Sequence, residues 1–328
     1  MVDVNSRVID EALARDLLPS REAETHKWGV GGVIVVAGSP SYPGASMLAS
    51  RAAGRSGAGI VLLATSRSVI GIVASGIPEV AFIPLPETES SSGARKAAEL
   101  VREQLDRATA IVIGPGLGAD DASDSLLSSL FGFGGRSEAV RGRMGFGSDQ
   151  GTTANSEEVA TSIFSDSDVN VVLDADGLNW LARQEDWWEH VPAQRLVLTP
   201  HPGEMARLLD RPVEEITAEP FAIAAEAAAR WQQTVLLKGG NAVVSNGEST
   251  LVADLAAMSL ATAGSGDVLA GVVGGLLAQT RSLFDSAALA IYVGPRAALR
   301  VEDRFGVLGV VAWDLPDAIA NELALLTS

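Results

Sequence analysis

The chain has 328 residues, of which 47% are hydrophobic, only 5% aromatic, and 34 are glycine. That mix suits one α/β domain spanning 1–328, with buried strands covered by small-residue helices. Its formal charge of −17 argues against duplex DNA, other nucleic acid or an anionic membrane as partner, and the absence of cysteine excludes disulfides, thiolate metal sites and cysteine nucleophiles. Residues 1–25 form an N-terminal segment, and 1–16 lack the basic start and apolar run of a signal peptide. With no apolar run long enough to cross a bilayer, a cytoplasmic protein is expected. The β-branched run 33–37 predicts a buried strand ending in Gly38-Ser39-Pro40, followed by a helix over 45–55 with Gly57 as its stop. Residues 60–64 predict a second strand, and 80–83 a third that Pro84 and Pro86 end. An amphipathic helix over 95–105 and a strand over 110–113 lead into Gly114-Pro115-Gly116-Leu117-Gly118. Residues 131–158, rich in Gly, Ser and Arg and without periodicity, read as a flexible insertion, or as a lid that orders on a ligand.

Beyond the insertion, 169–173 predict a strand running into Asp174-Ala175-Asp176, and a helix begins over 178–182. The strand 196–198 enters Thr199-Pro200-His201-Pro202-Gly203-Glu204 before a helix that starts at 205–209. An alanine-rich helix over 221–231 precedes the strand 234–237, which ends at Lys238. The strands 243–245 and 249–252 flank Asn246-Gly247, a hairpin turn. Helices are expected over 266–278, 286–301 and 316–325. Strand and helix alternate, so the central sheet should be mainly parallel with helices on both faces, and the loops after the strands should converge on one rim.

Two features on that rim carry chemistry. Of 24 basic residues only Lys27, Lys96 and Lys238 are lysine. Lys238 stands in the turn Leu237-Lys238-Gly239-Gly240-Asn241, where a compact ammonium reaching a phosphate explains the choice, chance on a surface loop being the bland alternative. In Ala263-Gly264-Ser265-Gly266-Asp267 the glycines permit close approach of a ligand, and the following helix aims free amides and its positive end at the same point. Asp267 is then either a base that takes a proton from an attacking hydroxyl or a helix cap. Asp174 and Asp176 could hold magnesium, but Asp176 reads as a cap for the next helix, Asp174 stays undecided, and no metal site is assigned.

The turn resembles the Gly-x-Gly-Asp signature of ribokinase-like enzymes. His26-Lys27, Gly44-Ala45, the 114–118 glycine loop, Asp174-Ala175-Asp176-Gly177-Leu178-Asn179, Thr199 to Met205, Lys238-Gly239-Gly240 and residues 261–269 follow in order. As a set they resemble the ADP/ATP-dependent NAD(P)H-hydrate dehydratase family, from about His26 onward apart from the insertion. The resemblance implies a ribokinase-like fold and a metabolite-repair reaction. In it the hydroxyl of hydrated NADH or NADPH (NADHX, NADPHX) is phosphorylated by ADP or ATP, with Mg2+ arriving on the nucleotide, and phosphate is then lost. It implies that Asp267 is the catalytic base, that Lys238, Gly239, Gly240, Asn241, Ala242, Gly264, Ser265 and Gly266 bind the nucleotide, and that Ala45, Gly116, Gly118, His201 and Asp267 meet the substrate. His201, Ala45 and the two glycines also have plain structural readings, as local packing, tight helix contact and turn geometry. A homo-oligomer, a tetramer, is implied too, and no N-terminal epimerase domain is expected.

The sequence departs from the family in three places: Ala242 stands where a Thr is common, Leu255-Ala256-Ala257-Met258 replaces Asn-Pro-Gly-Met, and Gly294-Pro295 replaces a His-Gly pair. Pro295 should kink its helix or begin a new one. Two other readings remain: a ribokinase-like kinase of a small alcohol such as a vitamin precursor, using the same turn and base, and a nucleotide sensor without activity. A Rossmann dehydrogenase is disfavoured, because no Gly-x-Gly-x-x-Gly follows the first strand.

Overall fold

The computed structural model describes residues 6–21, 26–87, 91–133, 161–165 and 167–328, without the side chain of residue 91. Among them, ten strands make one sheet: β1 (Ser6–Val8), β2 (Gly32–Val36), β3 (Ile60–Ser66), β4 (Ala81–Leu85), β5 (Ala110–Ile113), β6 (Asn170–Leu173), β7 (Leu196–Leu198), β8 (Thr234–Leu237), β9 (Val243–Ser245) and β10 (Thr250–Val252). Their order is β1-β10-β9-β8-β7-β6-β5-β2-β3-β4. The pairing is parallel from β8 across to β4, and β9 runs antiparallel to both β8 and β10.

The apolar strands alternate between two cores because successive side chains point to opposite faces. Val33, Val35, Val112, Val172 and Leu236 face one helical layer, which contains α3 (Pro43–Arg55), α11 (Ser265–Thr280), α12 (Leu283–Phe305) and α13 (Leu315–Thr327). Ile34, Val36, Ile111, Ile113, Leu173 and Leu198 face the other, with α5 (Ser91–Arg102), α6 (Asp121–Phe131), α7 (Asp176–Leu181), α8 (Pro202–Leu209) and α10 (Pro220–Trp231). The shorter helices α1 (Glu11–Asp16), α2 (Lys27–Val30), α4 (Arg67–Val73) and α9 (Val213–Ala218) fill the connections. The expected mainly parallel α/β sheet with helices on both faces is what the chain forms.

Several local expectations change. The N-terminal segment contributes β1, which adds to the sheet edge beside β10, with Ser6 opposite Thr250. Strand β4 runs through Pro84 instead of stopping there, since it is an edge strand and needs no amide donor on its open side. No new helix begins at Pro295; α12 continues through it to Phe305. Helix α6, which periodicity did not reveal, occupies the first residue of the expected insertion and ends at Gly132, in a left-handed conformation at φ 79°. Most of that insertion, residues 134–158, lies outside the described residues.

Candidate active site

Three strand ends converge. Behind β6 comes Asp174, behind β7 Thr199 and behind β8 Lys238. The Lys238 ammonium donates to Asp174 Oδ1 at 2.5 Å, and the Thr199 hydroxyl donates to the same oxygen at 2.8 Å. The Lys238 amide also donates to the Pro200 carbonyl at 2.8 Å, tying the β8 turn to the proline loop after β7. Asp174 is buried, and its partnered charge accounts for the placement. Burial works against the Lys238 ammonium, yet the Asp174 and Glu204 carboxylates outweigh it and hold the lysine pKa above its ordinary value.

The catalytic-turn candidate lies against this pair. Gly264 caps α11 at φ 90°, a left-handed conformation that favours glycine, and a side chain there would strike Leu48. A Cβ on Gly266 would stand 3.2 Å from Lys238 Nζ and 3.8 Å from Asp174 Oδ2. The amides of Gly266 and Asp267 find no backbone or side-chain acceptor among the described residues. Two free donors at the start of a 16-residue helix form a ready cradle for an anion. The Ser265 hydroxyl is turned away from it, donating to the Leu260 carbonyl at 2.7 Å.

Asp267 is partly buried in the first turn of α11. Burial raises its pKa to about 6, the Asp174 and Asp176 charges add to the rise, and Lys238 opposes it. A carboxyl so tuned is ionised near neutrality yet basic enough to take a proton. Among the described residues it makes no side-chain hydrogen bond that would mark it as a cap, and α11 is capped by Gly264 without one.

Asp176 does not cap its helix either. Ala175 takes that position at φ 51°, and Asp176 Oδ2 accepts the Gly118 amide at 2.8 Å, joining the β6 loop to the β5 loop. Gly116 (φ 61°) packs on the start of α3: a Cβ there would lie 2.7 Å from the Ala45 Cβ and 3.0 Å from the Tyr42 carbonyl. The Ala45–Gly116 contact therefore explains both small residues by packing, and it also brings the α3 start against the β5 loop.

His201 caps α8. Its Nδ1 accepts the amides of Gly203 (2.9 Å) and Glu204 (3.4 Å), while Nε2 stands 3.5 Å from Glu204 Oε1. Burial, then the charges of Lys238 and Arg207, lower its pKa, so the ring is neutral at neutral pH, as an accepting Nδ1 requires. Glu204 returns the contact by accepting the His201 amide at 2.8 Å. Burial lifts the Glu204 carboxyl to about 7. That shift and the Thr199–Asp174 contact escaped the sequence reading: nothing in Thr199-Pro200-His201-Pro202-Gly203-Glu204 shows which neighbours bury the acid.

Beside the turn opens a cavity of about 610 Å³, of the size that small-molecule sites have. Lys238, Gly239, Gly240, Ala242, Ser265, Gly266 and His201 line its polar end, while Leu255, Val272, Ile291, Pro295 and Ile319 help to line the rest. Both departures at 255–258 and 294–295 thus face this cavity and make its wall apolar. Asn241 is exposed, and it, Asp267, Ala45, Gly116 and Gly118 are not among the lining residues. Asp267 follows the lining residue Gly266, and Gly116 and Gly118 lie along the rim at the end of β5. No cluster of acidic or histidine side chains among the described residues is arranged to hold a metal ion, and no helix among them is long and apolar enough to cross a membrane.

Residues 33–132 and 138–321 match the family model described as NAD(P)H-hydrate dehydratase. A bifunctional NAD(P)H-hydrate repair enzyme of Moorella thermoacetica is 35% identical over 316 residues, 95% of this chain and 53% of that protein. The chain thus spans about half the length of the curated relatives of this kind that it matches. An ADP-dependent (S)-NAD(P)H-hydrate dehydratase of Listeria monocytogenes is 31% identical over 276 residues, 84% of this chain and 82% of that one. Among solved structures, the fold is similar to that of an ADP/ATP-dependent NAD(P)H-hydrate dehydratase of Bacillus subtilis co-crystallised with ATP and Mg2+. The TM-score is 0.76 and the identity 27%, over 98% of this chain and 99% of that one.

Proposed function

The chain belongs to the NAD(P)H-hydrate dehydratase family, with its ribokinase-like fold, and on that premise we propose that it restores NADH or NADPH from its hydrate at the expense of ADP or ATP. The observation that carries the reading is Asp267: a carboxyl with a pKa of about 6, in the first turn of α11, next to two free amides and a lysine-lined cavity.

In this reading the apolar end of the cavity takes the nucleotide's base, and its polar end takes the phosphates. Lys238, Gly239, Gly240, Asn241 and Ala242 approach the phosphates from one side, and Gly264, Ser265 and Gly266 from the other. The free Gly266 and Asp267 amides meet the oxygens of the phosphoryl group as it transfers, where donors fixed in advance are most effective. Mg2+ comes with the nucleotide, because multi-phosphate substrates carry it and no cluster of acidic or histidine side chains among the described residues is arranged to hold it. Ala45, Gly116, Gly118 and His201 border the hydrated dinucleotide.

Asp267 takes the proton of the ring hydroxyl as that oxygen attacks the terminal phosphorus. The bond from phosphorus to the bridging oxygen breaks, and AMP leaves if the donor is ADP. The ester carries a far better leaving group than hydroxide. The ring-nitrogen lone pair expels phosphate, and loss of a proton from the adjacent carbon closes the double bond of the reduced nicotinamide. The same reading sets the chain in the cytoplasm as a homo-oligomer, a tetramer, which a light-scattering mass tests.

Incubation with hydrated NADH or NADPH and ADP or ATP should restore the reduced-nicotinamide absorbance. Asp267→Asn should lower turnover by about two orders of magnitude or more, the usual loss when a general base is removed, while nucleotide still binds. A stable phosphate ester of another alcohol, with no absorbance recovery, would instead identify a small-molecule kinase. Normal turnover by the Asn variant would remove Asp267 from the chemistry.

A further inference from the structure

The cavity beside α11 takes the nucleotide in the reading above. A second depression, of about 570 Å³, lies farther along the same rim, over the ends of β2, β3 and β4 and the loop after β5. Gly38, Ser39, Ser66, Glu87, Leu117 and Asp120 are among its lining residues. Leu117 sits between Gly116 and Gly118, and Gly118 is held by Asp176, whose charge reaches Asp267. From β6 to β3 is three strand spacings, or about 14 Å, a distance that a pyrophosphate flanked by two riboses covers.

We propose that this depression receives the adenosine-side ribose of the hydrated dinucleotide, and that Glu87 and Asp120 make the chain favour NADHX, whose ribose carries a free 2′-hydroxyl, over NADPHX, whose 2′-position is phosphorylated. The inference rests on the dehydratase reading and deepens it.

The lining chemistry suits a diol and opposes a dianion. No lysine, arginine or histidine lines it among the described residues. The helix starts that face the depression offer little to a phosphate, because carboxylates already occupy them. Glu87 Oε1 accepts the Ser68 amide in the first turn of α4 at 2.5 Å, and Asp120 Oδ1 accepts the Ser123 amide at the start of α6 at 2.8 Å. A 2′-phosphate arriving here would meet two negative charges, both on exposed side chains, so the repulsion acts at close range and weakens as salt is raised. A ribose hydroxyl, by contrast, can donate to a carboxylate, as acidic residues do for the 2′-hydroxyl in other dinucleotide sites. The buried hydroxyl of Ser39 finds no hydrogen-bond partner among the described residues, and it lines the same recess.

The test compares the two hydrates in turnover and NADH with NADPH in binding, for the wild type and for Glu87→Gln/Asp120→Asn. Both substitutions keep an oxygen acceptor for the helix amide and remove the charge. The wild type should use NADHX with a kcat/KM at least tenfold above that for NADPHX, and bind NADH more tightly than NADPH by a similar factor. In the double variant both ratios should fall at least fivefold. Equal kcat/KM for the two hydrates in the wild type, or ratios unchanged in a folded double variant, would overturn the specificity proposal and leave the dehydratase reading standing. No recovery from either hydrate with any nucleotide would remove both.

Discussion

Asp267 and Glu204 are carboxyls that burial has made reluctant to ionise, with pKa values of about 6 and 7. Two consequences follow for pH. In the proposed role of base, Asp267 acts deprotonated, so kcat/KM should fall about tenfold per pH unit below about pH 6, which a pH–rate profile reads directly. For stability the sign runs the other way. The native state holds these protons above the unfolded carboxyl range of about 4, so it binds more protons than the unfolded chain between about pH 4 and 7. Stability from these two groups is therefore lost as pH rises through that window. Asp267→Asn removes one of the two, and its melting temperature relative to wild type should be higher at pH 8 than at pH 5. A thermal-denaturation series in which the difference does not change with pH would show that the charge of Asp267 carries no cost.

At the scale of elements, the position of the reactive turn depends on how closely α11 lies to its neighbours. A Cβ on Gly271 would stand 2.2 Å from the Ala49 carbonyl, and one on Gly275 2.4 Å from the Ala53 carbonyl, both on α3. On the sheet side, a Cβ on Gly274 would stand 2.3 Å from Val112 on β5. Glycine is required here by a backbone on one face and a strand on the other. The start of α11 carries Asp267 and the start of α3 carries Ala45, so the same packing sets two parts of the proposed site. Gly271→Ala should lower the unfolding free energy by about 1–3 kcal/mol through overpacking. Gly54→Ala, at a helical position with nothing within 4 Å, should be neutral or stabilising by up to about 1 kcal/mol. Urea denaturation of the pair measures both, and equal effects would mean that the close approach is not under strain.

For the whole molecule, the charge of −17 sets the long-range field through which the proposed anionic substrate would travel. Of the residues lining the cavity beside α11, Lys238 is the cation, and it is already paired with Asp174. Attraction is therefore local, made by amides and one ammonium, while the approach is repelled. Raising monovalent salt from low ionic strength to about 0.15 M shortens the Debye length to about 8 Å. It should then raise kcat/KM for the hydrate, which steady-state assays over a salt series would show. A steep fall would place a larger cationic surface at the entrance than the described residues contain.

The parallel sheet was legible because its strands are continuous apolar runs. The ranges 110–113, 196–198 and 234–237 are read from the sequence as the structure forms them, since burial on both faces favours apolar residues, Thr234 being the one polar member of these strands. The Gly-Ser-Gly-Asp turn and the lysine after β8 were legible for a related reason, because their chemistry is local. What pairs across long separations was not. Strand β1 is three residues long and finds its partner some 240 residues away; no periodicity can announce that. Asp176 looked like a helix cap until the fold brought Gly118 within reach, and the raised pKa values of Asp267 and Glu204 exist only once other segments exclude water from them. By itself the sequence determined which segments are buried and which residues can do acid–base work, because hydrophobic pattern and side-chain chemistry are properties of the chain. The tertiary structure alone decided which charges meet and how far each is from water, because those depend on packing between segments that are distant along it.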